Sequence, residues 1–490
     1  MKLQLKGHTE LYAVEQLQMQ LFPDEPTETI RTALKGDGAV SSLSEGKRYV
    51  TATAKVLWKG KRGFAMRRLP LEQAEDVRLR RRILQQTYFL AATQVLGTKP
   101  AWGALSGVRP TKLSTWHMQE GGTPESAEKM LRQVYFVTPE RSRLAVDCSR
   151  YTLQAAALLQ PKDLSVYIGI PFCPTRCAYC SFVSQSVEKF GAFLEPYLDA
   201  LIQEIEYTGR LLRQSGHSIR SLYMGGGTPT TLNARQMERL LGAIRANFDL
   251  SRCLEFTVEG GRPDTLDLEK LQVIRRGGAD RMSINPQTMS DDVLRRIGRS
   301  HDVKKVYEAY DDAVKAGFDV INMDLIAGLP GDTAQGFLSS VRKVIDLDPG
   351  NITVHTLALK KAAALYYERN DLPDREEVAY MLDETQRLLR QDGYEPYYLY
   401  RQKYMSGSFE NVGWCKPGQM SVYNIYMMEE LHSILSLGGG GMNKVNTGPN
   451  QLERFHNPKI PQDYITRVDQ ILEQKDEIFR ILASVEKGAL

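Results

Sequence analysis

Several features are scarce in this 490-residue chain. No run approaches the roughly 18 consecutive apolar residues of a membrane-spanning helix, so no membrane insertion is expected. The first residues, MKLQLKGHTELYAVEQ, hold no uninterrupted apolar segment with a small-residue cleavage site. A secretory signal is therefore not expected, and a cytoplasmic location is. Only six cysteines are present, too few for a disulfide framework in a chain this long, which agrees with a reducing compartment. Charge of one sign is not in excess: 63 Lys and Arg face 59 Asp and Glu, a net charge of +4. No nucleic-acid partner is expected from that balance. Charged residues at 25% and hydrophobic residues at 42% exclude a disordered, collagen-like or coiled-coil chain. At roughly 150 residues per domain, the length suggests about three domains.

What is present falls into three stretches. Residues 1–160 read as an N-terminal α+β domain of unknown role. In it, YVTATAKVLWKGKRGFAMRRL (49–69) predicts a small antiparallel sheet, with Gly-Lys turns between β-branched runs. A helix follows from Glu72, with Val77, Ile83, Tyr88, Leu90 and Ala91 toward the core. Its basic run, Arg78 and Arg80–Arg82, reads as a solvated helix face or a surface for phosphate or carboxylate. From residue 161 to 400, short strands alternate with helices: 165–170, 221–225, 254–259, 281–285, 320–326 and 352–359. Between two of them, Met237, Leu240, Leu241, Ile244 and Phe248 follow a helical period. The alternation predicts an α/β fold, a parallel sheet with right-handed crossovers, here a partial (β/α)6 TIM-type barrel. Chemistry is then expected at the C-terminal strand ends. Residues 401–490, with aromatic-rich loops and the Gly438–Gly441 run, read as a C-terminal substrate-covering region.

Cys173, Cys177 and Cys180 fall within YIGIPFCPTRCAYCSF, spaced C-x3-C-x2-C directly after the first barrel strand. Three thiolates cannot close a structural zinc site, which usually takes four protein ligands. A [4Fe–4S] cubane on three cysteines leaves one iron open to a chelating ligand. Inert cysteines, zinc or a redox dithiol are the competing readings. Cys148, Cys253 and Cys415 have no paired spacing.

This motif resembles the cluster loop of radical S-adenosylmethionine (SAM) enzymes. The surrounding Tyr-x-x-x-Pro-Phe-Cys resembles the oxygen-independent coproporphyrinogen III dehydrogenase group over about residues 164–445. WGALSGVRPTKL (102–113), in the long N-terminal region, resembles its HemZ branch. The resemblance implies a radical SAM barrel with a [4Fe–4S] cluster on Cys173, Cys177 and Cys180, and SAM on the open iron. It implies SAM contacts at Gly226, Gly227 and Thr228 in the GGGTP turn, and at Glu259, Gln287, Arg299, Asp324 and Ala358. Tyr167 is implied near SAM and the reacting substrate. Read without the resemblance, a Gly triplet is a turn, a strand Tyr is core, and Glu259 and Arg299 are surface charges.

The implied reaction is oxidative decarboxylation of coproporphyrinogen III to protoporphyrinogen IX, with an electron donor such as flavodoxin or ferredoxin. Arg176, Arg262, Lys360, Lys361 and Arg401 are candidate cations for the substrate carboxylates. Two positions depart from the better-known branch: Gly169 replaces a His and Phe182 replaces a Cys. The haem-chaperone branch carries His-Asn-x-x-Tyr-Trp where this chain has Tyr423-Asn424-Ile425-Tyr426-Met427-Met428. His355 and His432 remain as possible haem ligands. The alternatives are a haem-binding delivery protein that retains a SAM site and another radical tetrapyrrole reaction.

Overall fold

The antiparallel pair expected at 49–69 forms as Tyr49–Trp58 and Lys61–Pro70, in register from Tyr49 opposite Pro70 to Trp58 opposite Lys61. It belongs to a computed structural model that describes residues 1–488 apart from 24, 108, 183, 368–370, 402–408 and 449–450. Val108, within the WGALSGVRPTKL segment, thus lies outside the described residues, as do several positions of the 401–490 stretch. The chain divides into two compact units, one built on Met1–Asp147 and the other on the residues from Cys148 onward.

In the first unit the pair extends through Gly38–Glu45 to Lys2–Lys6 and Glu28–Ile30 as a five-stranded mixed sheet. The helix Val77–Leu96 starts on the Asp76 side chain, which accepts from the Arg78 and Leu79 N–H groups. Ile83, Leu84, Tyr88, Phe89 and Ala91 enter the core. Val77 does not: as the first helical residue it is exposed. The basic run is a surface face. Arg81 pairs with Glu10, while Arg78 and Arg82 lie over the rings of Trp116 and Tyr135.

In the second unit the six expected strands form and are all parallel. They are β1 (Asp163–Ile170), β2 (Ser218–Gly226), β3 (Glu255–Glu259), β4 (Arg281–Gln287), β5 (Val320–Ala327) and β6 (Asn351–Thr356). Their near-continuous burial is the signature of parallel strands covered on both faces. The helix Ala234–Asn247 carries Met237, Leu240, Leu241 and Ile244 inward from an Asn233–Gln236 capping box.

The sheet continues beyond these six. β7 (Glu395–Arg401) and β8 (Glu410–Cys415) run antiparallel on the β6 side. On the other side, β9 (Ile434–Gly438) lies parallel to β1, followed by β10 (Met442–Gly448) and β11 (Gln451–His456). The order is β7-β8-β6-β5-β4-β3-β2-β1-β9-β10-β11, with free edges at β7 and β11, so the barrel is open. Stretches on the C-terminal side of residue 401 are thus strands of the same sheet as the core. No helix of the described residues is long and apolar enough to cross a membrane.

Candidate functional site

The loop after β1 is fixed from several sides. Phe172–Cys173 pairs with Gln185–Ser186, and the Ser186 hydroxyl donates to the Pro174 carbonyl at 3.2 Å. The Cys180 N–H donates to the Cys177 carbonyl at 3.1 Å, and the Ala178 N–H to Ile297 at 3.0 Å. All three cysteines line one cavity of about 300 Å³ at the C-terminal ends of the parallel strands. Burial pushes the Cys180 thiol up to about 11, and the neighbouring Cys177 and Cys173 add to the shift. All six cysteines are free.

Gly226, Gly227 and Thr228 also line the cavity. The glycine at 227 is sterically required: a Cβ there would lie 2.5 Å from the Phe172 carbonyl oxygen and 2.9 Å from the Cys173 sulfur. The N–H groups of Gly227 and Thr228 donate to the Ile170 and Phe172 carbonyls at 2.8 and 2.7 Å. Glycine's freedom here therefore brings two loops together, rather than leaving those two N–H groups open to a ligand. The Thr228 hydroxyl lies 3.5 Å from the Cys173 sulfur.

Glu259 ends β3 inside the cavity, where the Gly226 N–H and the Asn285 side chain donate to it. Burial and then the charge of Asp324 push its carboxyl up to about 8, so near neutral pH it holds a proton. Asp324 behaves oppositely. Burial works against its ionisation, yet His355, Asn322 and Thr353 outweigh burial and hold it below the usual carboxylate range. His355 Nε2 stands 3.5 Å from Asp324, and Asn322 donates at 2.8 Å. Two neighbouring carboxyls thus have opposite protonation, the state in which one can donate while the other attracts a cation.

Arg299 is a buried loop residue and not a surface helix position. Its Nη1 donates to the Gly261 and Asn285 carbonyls at 3.1 and 2.8 Å, its Nη2 to the Tyr179 hydroxyl at 2.8 Å, and its Nε is unpartnered. Most of the expected fork is committed to the protein. Gln287 follows a bulge in β4 with φ of 69°, strained for a residue with a side chain, and its Oε1 is buried without a partner. Both line the cavity.

Tyr167 is not part of the cavity lining. It lies beside the lining Tyr223, its register partner on β2, rings 6.3 Å apart and nearly parallel, and burial raises its hydroxyl pKa. Ala358 lines the cavity, but β6 ends at Thr356, so it sits in the following loop instead of the expected strand. Of the candidate substrate cations, Arg176 and Lys360 line the cavity. Arg262 lines it too, but is forked onto Asp264. Lys361 and Arg401 are not among the lining residues; burial, opposed by Glu410, pushes Arg401 down to about 10. His432 is internal, 2.7 Å from the Ser165 hydroxyl, and burial followed by Arg220 pushes it down to about 3.

Sequence reasoning missed Asn285, Asn322, Tyr179 and Tyr223, and missed His355 as the partner of Asp324. A signal existed. Ser283, Asn285 and Gln287 alternate along β4, Asn322 and Asp324 along β5, Thr353 and His355 along β6, and all line the cavity. A two-residue polar period on strands buried on both faces marks the side that faces a site.

The donor set fits an iron–sulfur cluster. Three thiols line one cavity, one short of the four protein ligands of a structural zinc site and the number that holds a cubane with one open iron.

Comparison with known proteins points the same way. Residues 167–344 match the radical SAM superfamily. The oxygen-independent coproporphyrinogen-III oxidase-like protein HemZ of Bacillus subtilis (strain 168) is 38% identical over 385 residues, 77% of this chain and 77% of that protein. The heme chaperone HemW of the same organism is 32% identical over 58% of this chain and 73% of its own length. The structure of coproporphyrinogen III oxidase (HemN) from Escherichia coli superposes with a TM-score of 0.53 at 27% identity, over 65% of this chain and 72% of that one. With its cysteine loop and strand-end cavity, the chain belongs to the oxygen-independent coproporphyrinogen III oxidase-like family of the radical SAM superfamily, whose members use a [4Fe–4S] cluster and SAM.

Proposed function

We propose that this chain catalyses the oxidative decarboxylation of coproporphyrinogen III to protoporphyrinogen IX. The observation that carries the reading is the single cavity lined at once by the three cysteines and by Glu259, Asp324 and Arg299. When bound, the cluster and SAM supply hydrogen-atom abstraction at a propionate β-carbon. Each of two propionates then loses CO2 and one electron to an acceptor and becomes a vinyl group. The electron for the cluster would come from a one-electron donor such as flavodoxin or ferredoxin.

Cys173, Cys177 and Cys180 are the cluster ligands in this reading, and the remaining residues hold and orient the organic groups. Glu259, protonated without a ligand, would help hold the cationic part of SAM, since a cation beside it would favour the carboxylate. Arg299 fixes Tyr179 and the Asn285 backbone, and with its Nε unpartnered it would help hold the methionyl carboxylate. Gln287 offers its orphaned Oε1. Arg176 and Lys360, on the cavity wall, take substrate carboxylates.

A haem-delivery role is the second reading, favoured by the HemW relative. Against it, Tyr423, which stands at the His position of the chaperone motif, is buried and stacked 4.7 Å from Tyr223 with its hydroxyl unpartnered. The test is an anaerobic assay of reconstituted protein with SAM, dithionite and coproporphyrinogen III, read by mass spectrometry. Substrate-dependent 5′-deoxyadenosine with stepwise loss of two CO2 is the expected result. Stoichiometric haem binding without decarboxylated product overturns it in favour of delivery, and gain of CH2 in favour of a methylating tetrapyrrole reaction.

A further inference from the structure

Arg262 follows Glu259 by three residues, and only 3% of its side chain is exposed. A guanidinium at that depth is costly unless it is paired and hydrogen-bonded. One edge is held by Asp264 in a two-point fork, Nε to Oδ1 at 2.9 Å and Nη2 to Oδ2 at 2.7 Å, with the Ser300 hydroxyl also taking Nη2 at 2.9 Å. The opposite edge faces the cysteine loop. Nη1 donates to the Thr175 hydroxyl at 2.7 Å and lies 4.0 Å from the Cys177 sulfur. Asp264 is itself flanked by His301, with Nδ1 at 3.4 Å. The pair is therefore polarised, with its positive end on a cysteine sulfur and its negative end turned away.

We infer that the Arg262–Asp264 pair sets the reduction potential of the cluster held by Cys177, with the guanidinium stabilising the reduced, more negative state. The inference rests on the cluster reading above and assigns Arg262 a positioning and tuning role in place of substrate binding. Hydrogen bonds and charge near cluster sulfurs are principal determinants of iron–sulfur potentials, and a buried charge a few ångströms away is weakly screened. The orientation of the pair makes a signed prediction. Arg262→Gln removes the positive end and leaves Asp264 uncompensated, so reduction becomes harder. Asp264→Asn leaves the guanidinium uncompensated, so reduction becomes easier. Arg262→Lys keeps the charge and stays close to the parent protein.

The experiment is a potentiometric titration of the anaerobically reconstituted chain without SAM, followed by the paramagnetic signal of the reduced cluster, with iron and sulfide counted in each sample. Arg262→Gln should shift the reduction equilibrium about tenfold toward the oxidised form, 59 mV for a one-electron couple, and Asp264→Asn should shift it in the opposite direction. Shifts of the same sign in both variants would indicate general loosening of the loop and overturn the inference, as would unchanged potentials with full clusters. If Arg262→Gln retains no cluster, the sign of the Asp264→Asn shift and the position of Arg262→Lys decide alone. A parent protein that takes up no iron and sulfide fails the cluster reading itself, a different outcome from unshifted potentials.

Discussion

Glu204 and Glu259 serve the same sheet under opposite conditions. Glu204, on the helix Leu194–Ser215, is 0% exposed, and so is its partner Lys475, 3.1 Å away. It accepts from the Gly438 N–H at 2.8 Å, from Asn457 at 3.1 Å and from the Tyr464 hydroxyl, while Lys475 also reaches the Ser436 carbonyl and Asn443. Glu259 has a distant Asn285, a backbone N–H and the ionised Asp324 as a neighbour. Around it, Gln287 Oε1 and Arg299 Nε have no partner. In the first cluster Glu204 and Lys475 are paired with each other and with surrounding donors and acceptors, Asn457 Oδ1 alone lacking a partner, and the cluster anchors the Gly438–Gly441 run. The second has the incomplete pairing of a site that waits for a ligand.

The largest expected effect is on the incomplete side and concerns function alone. Cys173→Ala should abolish cluster absorbance and 5′-deoxyadenosine formation, whereas Cys148→Ala or Cys253→Ala should leave the cluster spectrum intact. Persistent SAM cleavage by Cys173→Ala would remove the cavity from the chemistry. On the paired side the expected effect is on the fold. Lys475→Met leaves Glu204 buried and unpaired, at a cost of about 3–5 kcal/mol in urea unfolding, which a second change, Glu204→Gln, should largely restore. A loss below about 1 kcal/mol would erase the contrast between the two clusters.

The third test uses pH. The Glu259 carboxyl is raised from 4.5 to about 8 on folding, so between those values the folded chain binds more protons than the unfolded one. Its contribution is fully present below pH 4.5 and is lost as pH rises through 8, so ligand-free stability should fall on the order of a few kcal/mol across that window. Glu259→Gln should flatten this slope while changing stability near pH 5 little. A slope that survives in Glu259→Gln assigns it to another group. The smallest effect is on affinity. Arg299→Ala should weaken SAM binding by about 1.5–3 kcal/mol with the cluster retained, as measured by calorimetry. Unchanged affinity would leave Arg299 as a brace for Tyr179 only.

Local pattern made the six parallel strands and the cysteine loop legible, because strand period, turn residues and Cys spacing are all short-range signals. Gly226, Glu259, Gln287, Arg299 and Asp324 were named through the family resemblance that the cysteine loop carries, and they line one cavity. What local pattern could not give were partners set by the third dimension. The Asp264 fork on Arg262 and the Asp324–His355 pair join side chains according to which strand or loop lies beside which. The same holds for Gly169, where the Gly439 carbonyl would stand 2.9 Å from any Cβ, so a side chain there needs the Gly438–Gly441 run moved. Tyr167 reads as a cavity residue from its place in the motif; it shares a sheet face with its register partner Tyr223, which lines the cavity while Tyr167 does not.

The parallel pairing of β9 with β1 has a consequence for how the molecule is made. β1 leads directly into the cysteine loop, yet its neighbour on one side is Ile434–Gly438, far downstream. At roughly 5–20 residues per second, synthesis from Ile170 to Gly438 takes about 13–54 s, and for that interval β1 emerges with one edge unpaired. The strand that delivers the cysteines is thus among the last in the sheet to be closed on both sides. A chain stalled before residue 434 therefore leaves β1 as an open edge strand, an aggregation liability.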